Sequence, residues 1–225
     1  MATKYDEAEW DEARAAQMRA AMIDSQLRTN DVTDPAVVGA MGAVAREAHV
    51  PPALASVAYM DRAIPLGGGR ALNPPLVTGR MLVAAMVRPG MRVLLVGAAT
   101  GYAAACLARL GAEVHALEED AALLAMARDT GAGDGIDWIE GPLAAGAPDR
   151  APFDRILIDG AIEALPPALA DQLAEGGRIV AALRDGAVTR LAQGVKTGGV
   201  LALRPFADMD AAPLPGFAAP KGFRF

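Results

Sequence analysis

Met91 to Asp120 reads MRVLLVGAATGYAAACLARLGAEVHALEED, and no other stretch of the chain constrains its fold as much. Val93 to Val96 is a short apolar run bounded by Gly90 and Gly97, which predicts a buried strand. Tyr102 to Leu110, rich in alanine and leucine and closed by Gly111, predicts a helix, and Val114 to Leu117 a second strand. Gly97 and Gly101 let the backbone turn sharply and approach a ligand closely. The helix behind them aims free N–H groups and the positive end of its dipole at whatever lies above the turn. Glu118 follows Gly97 by about 20 positions at the tip of the second strand, where a carboxylate accepts hydrogen bonds from both hydroxyls of a ribose. Together these features predict a nucleotide or nucleoside pocket. The plainer reading, a tight strand-to-helix connection with no ligand, accounts for the glycines but not for the acid. The dinucleotide pattern G-x-G-x-x-G is incomplete, because Gly97-Ala98-Ala99-Thr100-Gly101 is followed by no third glycine in the helix. That weighs against NAD.

The flanking sequence extends the pattern. Residues 6–28 predict a helix with Met18, Met22, Ile23 and Leu27 on one apolar face. Asp34-Pro35 is a cap followed by proline at the first helical position, and Pro51-Pro52 restarts the chain for a short third element. Ile64 to Pro75, IPLGGGRALNPP, is too rich in glycine and proline for regular structure and is expected to be a loop. Leu76 to Val87 predicts a helix, Asp120 caps another through Arg128, and Ile136–Glu140 and Phe153–Asp159 predict strands. Leu165 to Leu173 is expected to be helical, with Gly176-Gly177 turning the chain into a strand over Arg178 to Leu183. Strands alternating with helices imply a parallel sheet covered on both faces. Ala187–Val195 and Val200–Phe206, separated by Lys196-Thr197-Gly198-Gly199, predict an antiparallel hairpin. From Asp208 onward the chain is proline-rich and is expected to wrap the surface. One domain suffices: a helical layer over 1–63, a glycine- and proline-rich loop over 64–75, an α/β core over 76–206 and an irregular tail over 207–225.

Composition narrows the function classes. A formal charge of −6 without a basic stripe argues against a phosphate-tracking nucleic-acid binder. Although 53% of residues are hydrophobic, charged residues interrupt every apolar run, so no membrane span is expected, and the acidic N-terminus lacks a secretory pattern. The single cysteine, Cys106, permits no intrachain disulfide, which suits a reducing cytoplasm, and its place among alanines and leucines predicts a buried, inert thiol. His49 and His115 read as structural residues rather than catalysts, and they make no recognisable metal site.

A parallel sheet finished by an antiparallel hairpin, with an acid closing its second strand, resembles the S-adenosylmethionine-dependent class I methyltransferases. Within that class the chain resembles the protein-L-isoaspartate O-methyltransferases. The resemblance spans roughly Met18 to Phe206 and rests on AYMDRAIPLGGGRALNPP, VLLVGAATGYAAACLA, FDRILIDGAIEALPPAL and QLAEGGRIV. It implies an α/β, Rossmann-like class I methyltransferase fold that binds S-adenosyl-L-methionine and methylates a protein or peptide carboxylate, that of isoaspartyl residues in damaged proteins. It further implies a cytoplasmic monomer or homodimer without nucleic-acid or membrane partners. Cofactor contacts are expected from Gly97, Ala98, Ala99, Thr100, Gly101, Tyr102, Glu118, Glu119, Gly141 and Asp159.

The family's substrate loop, T-x-S-Q-P, appears here as Ala71, Leu72, Asn73, Pro74 and Pro75. Asn73 therefore stands where the family places its serine, and the resemblance makes it the catalytic candidate, although an amide donates a hydrogen bond without relaying a proton. Asp61, Arg70 and Pro74 are candidate substrate contacts; a local salt bridge or solvated charges explain Asp61 and Arg70 equally well. Three further positions depart from the family: Leu95 in place of an acid, Ala99 in place of the middle glycine, and Pro142 in place of the aspartate after Gly141. Transfer from a sulfonium to an ionised carboxylate cancels opposite charges and needs no general base, so alignment and water exclusion contribute most. Two alternatives stay open: a family member with a different acceptor, and a non-catalytic binding module that retains the fold.

Overall fold

A computed structural model describes residues 12–131 and 135–219. Helix α1, Glu12–Met22, continues through one π turn (Ile23–Leu27) and a 3-10 turn (Arg28–Asn30), so the predicted first helix is present from residue 12; residues 6–11 lie outside the described part. Helix α2, Pro35–Ala43, starts as its sequence predicts, with the Asp34 carboxylate accepting from the backbone N–H of Ala36 at 2.9 Å and of Val37 at 3.1 Å. Short 3-10 helices over Arg46–His49 and Pro52–Val57 complete the N-terminal layer.

The stretch expected to be a loop instead holds a small hairpin. β1 (Ile64–Gly67) and β2 (Arg70–Leu72) pair antiparallel with Ile64 opposite Leu72. Three consecutive glycines at φ 96°, 56° and 78° supply the left-handed turn between them, and burial of Ile64 and Leu72 fixes the register. Helix α3, Pro75–Ala85, follows at once and ends two residues before the predicted Val87, because Met86 takes the left-handed conformation.

The main sheet contains β3 (Arg92–Val96), β4 (Glu113–Glu118), β5 (Ile136–Glu140), β6 (Phe153–Ile162), β7 (Leu173–Asp185), β8 (Val188–Val195) and β9 (Arg204–Asp208). Its order is β5-β4-β3-β6-β7-β8-β9, parallel through β7 and antiparallel beyond. Helices α4 (Tyr102–Arg109), α5 (Ala121–Asp129) and α6 (Pro167–Asp171) make the crossovers. α6 is shorter than predicted, because Pro166 caps it and Leu173 already pairs with Phe153 at the start of β7. The terminal hairpin is also shifted: β8 folds back on β7, and its outer partner is Arg204–Asp208 rather than Val200–Phe206. Thr197 and Val200 close a tight turn, and the link that follows packs its Ala202 carbonyl so near Gly194 that an added Cβ there would lie 2.5 Å from it.

Alternate residues of β3 divide the core. Val93 and Leu95 face α3, α4 and the N-terminal layer; Leu94 and Val96 face the opposite side with Ile156, Ile158, Leu169 and Phe217. Chain order runs outward from β3 through β4 to β5 and then restarts on the other side at β6, so the strand order reverses between β3 and β6. The crevice beyond the carboxyl ends at such a reversal is where open α/β sheets bind ligands.

The described tail lies at the surface as expected but also docks on the sheet; residues 220–225 lie outside the described part. Residues 211–217 cross that carboxyl edge, Ala161 N–H donating to the Ala212 carbonyl at 2.7 Å, Leu214 N–H to Ala161 at 2.9 Å and Glu163 N–H to Phe217 at 3.2 Å. Its prolines do exclude regular structure, as expected. Yet Ala212 and Phe217 are buried, and Phe217 joins the core on the Leu94 side.

Candidate functional site

β3 delivers the chain into a turn whose Gly97, Ala99 and Gly101 all adopt positive φ, at 79°, 48° and 86°. At Gly101 the reason is contact as well as conformation: a Cβ there would lie 2.8 Å from the Trp138 ring of β5. Ala99 holds the left-handed conformation with a side chain, and its N–H donates to Glu118 Oε2 at 2.7 Å. The helical layer grips the turn through a reciprocal pair: Thr100 Oγ1 donates to the His49 carbonyl and His49 Nδ1 lies against the Thr100 carbonyl, both at 2.6 Å. Burial pushes the His49 pKa down, outweighing that hydrogen bond, so the ring stays neutral and Nδ1–H donates. Tyr102 is buried edge-on to His49, with the Arg46 guanidinium 4.7 Å from its ring centroid.

Glu118, at the tip of β4, is fully buried and collects five donors. Oε1 accepts from Arg70 Nη1 at 2.5 Å and from the N–H groups of Glu119 and Asp120 at 2.9 and 3.1 Å. Oε2 accepts from Arg70 Nη2 at 2.8 Å in addition to Ala99 N–H. The fork-to-fork pairing uses both oxygens, and Arg70 is itself only 6% exposed.

A second buried cluster adjoins it. Asn73 Nδ2 donates to Asp159 Oδ1 at 2.7 Å, while Asn73 Oδ1 accepts from the Ala212 N–H of the tail at 2.7 Å. Arg46, also buried, donates through Nη2 to the Asn73 carbonyl and through Nε to Ala58 at 2.7 Å. Burial raises the Asp159 carboxyl above the usual carboxylate range, against the pull of Asn73, Arg46 and Arg70. Two guanidiniums and two carboxylates thus share one dry region.

The residues singled out in the sequence divide accordingly. Gly97 to Tyr102, Arg70, Asn73, Glu118 and Asp159 come together. Asp61 lies apart and exposed, capping α3 by accepting from Leu76 N–H at 3.0 Å, and Pro74 is the residue before that helix. Glu119 is exposed on the rim, and Gly141 N–H donates to the Glu118 carbonyl at 3.1 Å. Leu95 is wholly buried beneath the turn. Sequence reasoning missed Arg46, which carries no motif, and Leu214, which lies between two prolines. Leu214 occupies the space above the turn: its methyl carbons stand 2.9 and 3.1 Å from where a Cβ on Gly97 would be, and its Cγ 2.6 Å from one on Gly160.

The donors and acceptors for a nucleoside are therefore present, but in this arrangement S-adenosylmethionine does not fit. A ribose would compete with Arg70 for both oxygens of Glu118, and Leu214 fills the crevice over Gly97 and Gly160.

Comparison with known proteins places these features. The family model described as Protein-L-isoaspartate(D-aspartate) O-methyltransferase matches residues 17–209. A Methylorubrum populi protein named Protein-L-isoaspartate O-methyltransferase is 46% identical over 164 residues, 72% of this chain and 77% of that one. A Koribacter versatilis protein of the same name is 42% identical over 165 residues, 72% of this chain and 74% of that one. Among solved structures, one named protein-L-isoaspartate O-methyltransferase superposes with a TM-score of 0.75 at 19% identity, over 90% of this chain and 66% of that one. A putative protein-L-isoaspartate O-methyltransferase from Plasmodium falciparum, in complex with S-adenosyl-L-homocysteine, superposes with a TM-score of 0.73 at 19% identity, over 89% of this chain and 97% of that one. These two likenesses are of fold, and the fold is the Rossmann-like class I methyltransferase fold.

Proposed function

We propose that this chain, which belongs to the protein-L-isoaspartate O-methyltransferase family, is an S-adenosylmethionine-dependent methyltransferase acting on the carboxylate of isoaspartyl residues in damaged proteins. The family match over residues 17–209 carries this reading, and the strand–turn–helix with Glu118 at the next strand tip supports it. Gly97 to Tyr102, Glu118, Glu119, Gly141 and Asp159 are the proposed cofactor residues. Asn73 is the proposed catalytic residue, with Arg70, Asp61 and Pro74 on the acceptor side. One domain, a monomeric or homodimeric state and a cytoplasmic location complete the proposal. No described helix is long and apolar enough to cross a membrane.

The cofactor assignment is checked by calorimetric titration with S-adenosylmethionine and S-adenosylhomocysteine beside NAD and ATP. Heat of binding with the first two alone is the expected result. Binding of NAD or ATP in their place overturns the assignment.

A further inference from the structure

We infer that residues 211–217 are a strap that holds the cofactor crevice shut, with Arg70 standing on Glu118 in place of the ribose. The inference rests on reading that crevice as the S-adenosylmethionine site and adds how access to it is controlled.

Position is the first support. Leu214 lies over Gly97 at the end of β3 and over Gly160 in β6, the two strands between which the sheet order reverses. This is the place where ligands enter open α/β sheets, and a side chain of the same polypeptide fills it. Gly97 is buried beneath that side chain.

The second support is how the strap is held. One end is tied to the 64–75 segment by Ala212 N–H on Asn73 Oδ1, and the middle runs beside β6 through two main-chain hydrogen bonds at Ala161. The other end is anchored by Phe217 in the core. Asn73, at the position of the family's serine, is therefore engaged in holding the strap.

The third support is that opening leaves a competent site. Arg70 is carried on β2 next to an exposed turn of three glycines, so its side chain has a route outward. Once it leaves, Glu118 still accepts from Ala99, Glu119 and Asp120, which keep the carboxylate oriented and leave an acceptor site on Oε2 for a ligand hydroxyl. Closed and open forms are then two states of one site. The cofactor binds the open state, and its apparent affinity is reduced by the fraction of molecules that are open.

Leu214→Ala removes the side chain that fills the crevice and leaves the strap's backbone bonds in place. S-adenosylhomocysteine is titrated into parent and variant, and amide hydrogen exchange at Leu214 and Ala161 is followed in the parent with and without it. The inference expects the variant to bind about tenfold more tightly or better, and ligand to speed exchange at both amides. Equal affinities with both amides equally protected would overturn the strap while leaving the cofactor assignment intact. Absence of binding by both proteins removes the cofactor assignment and the strap's role with it. Should the variant fail to fold, the exchange measurement on the parent decides alone.

Discussion

The Arg70 guanidinium pairs with both carboxylate oxygens of Glu118, at 2.5 and 2.8 Å, across 48 positions of sequence and in a region closed to solvent. An acid that the sequence assigns to a ribose is thus satisfied internally, and the hairpin carrying Arg70 is fastened to the tip of β4. Removing either partner leaves a buried charge without its counterion.

Arg70→Met is therefore expected to lower the unfolding free energy by about 3 to 5 kcal/mol, and Arg70→Met with Glu118→Leu to recover most of that loss, because the penalty comes from the stranded charge. Urea denaturation of the two variants measures this. A loss under about 1 kcal/mol for the single variant would mean that water reaches the pair.

Gly160 tests the fit of the strap. An added Cβ would lie 2.6 Å from the Ala212 carbonyl and 2.6 Å from Leu214 Cγ, so Gly160→Ala must push the tail off the sheet edge. The expected outcome is faster proteolytic cleavage within residues 210–219, with a stability loss of about 1 to 3 kcal/mol from overpacking. Cleavage at the parental rate would show that the tail absorbs the methyl without moving.

His49 makes stability depend on pH. Burial depresses its folded pKa below the ordinary 6.5, so the unfolded chain takes up a proton first as pH falls. Its contribution is whole above the unfolded pKa and is lost as pH drops through 6.5 towards the folded value, at up to about 1.4 kcal/mol per pH unit. Arg46, which also opposes protonation, and Glu47, which favours it, face the same ring. Asp159 acts in the opposite sense at lower pH, since its raised pKa makes acidification relieve a buried charge. Comparing melting at pH 7.5 and 5.5 for the parent and His49→Asn isolates the histidine. The variant should show the shallower dependence; identical slopes would place the proton elsewhere.

Much of the fold was legible because periodicity and capping are local. Val93–Val96, the Asp34 and Asp120 caps and the alternation of strands with helices all depend on residues near one another, and each element formed where its pattern lay. The misplaced elements depended on distant partners. The hairpin of Ile64–Leu72 exists because two side chains reach the core, and β9 begins at Arg204 because the Ala202 backbone packs on Gly194. The site followed the same division. Gly97, Gly101 and Glu118 announce a turn and an acid, but the Arg70–Glu118 pair spans 48 positions and the Asn73–Ala212 bond 139. No local pattern of Ala211 to Phe217 indicates that Leu214 fills the crevice.

Transfer of labelled methyl from S-adenosylmethionine to an isoaspartyl peptide, with its aspartyl twin as control, tests the proposed activity most directly when run on both the parent and Leu214→Ala. The account predicts label on the isoaspartyl peptide alone, entering at least a few times faster with the variant, because a larger fraction of its molecules is open. Absence of label on either peptide with both proteins, or equal labelling of the two peptides, would contradict it.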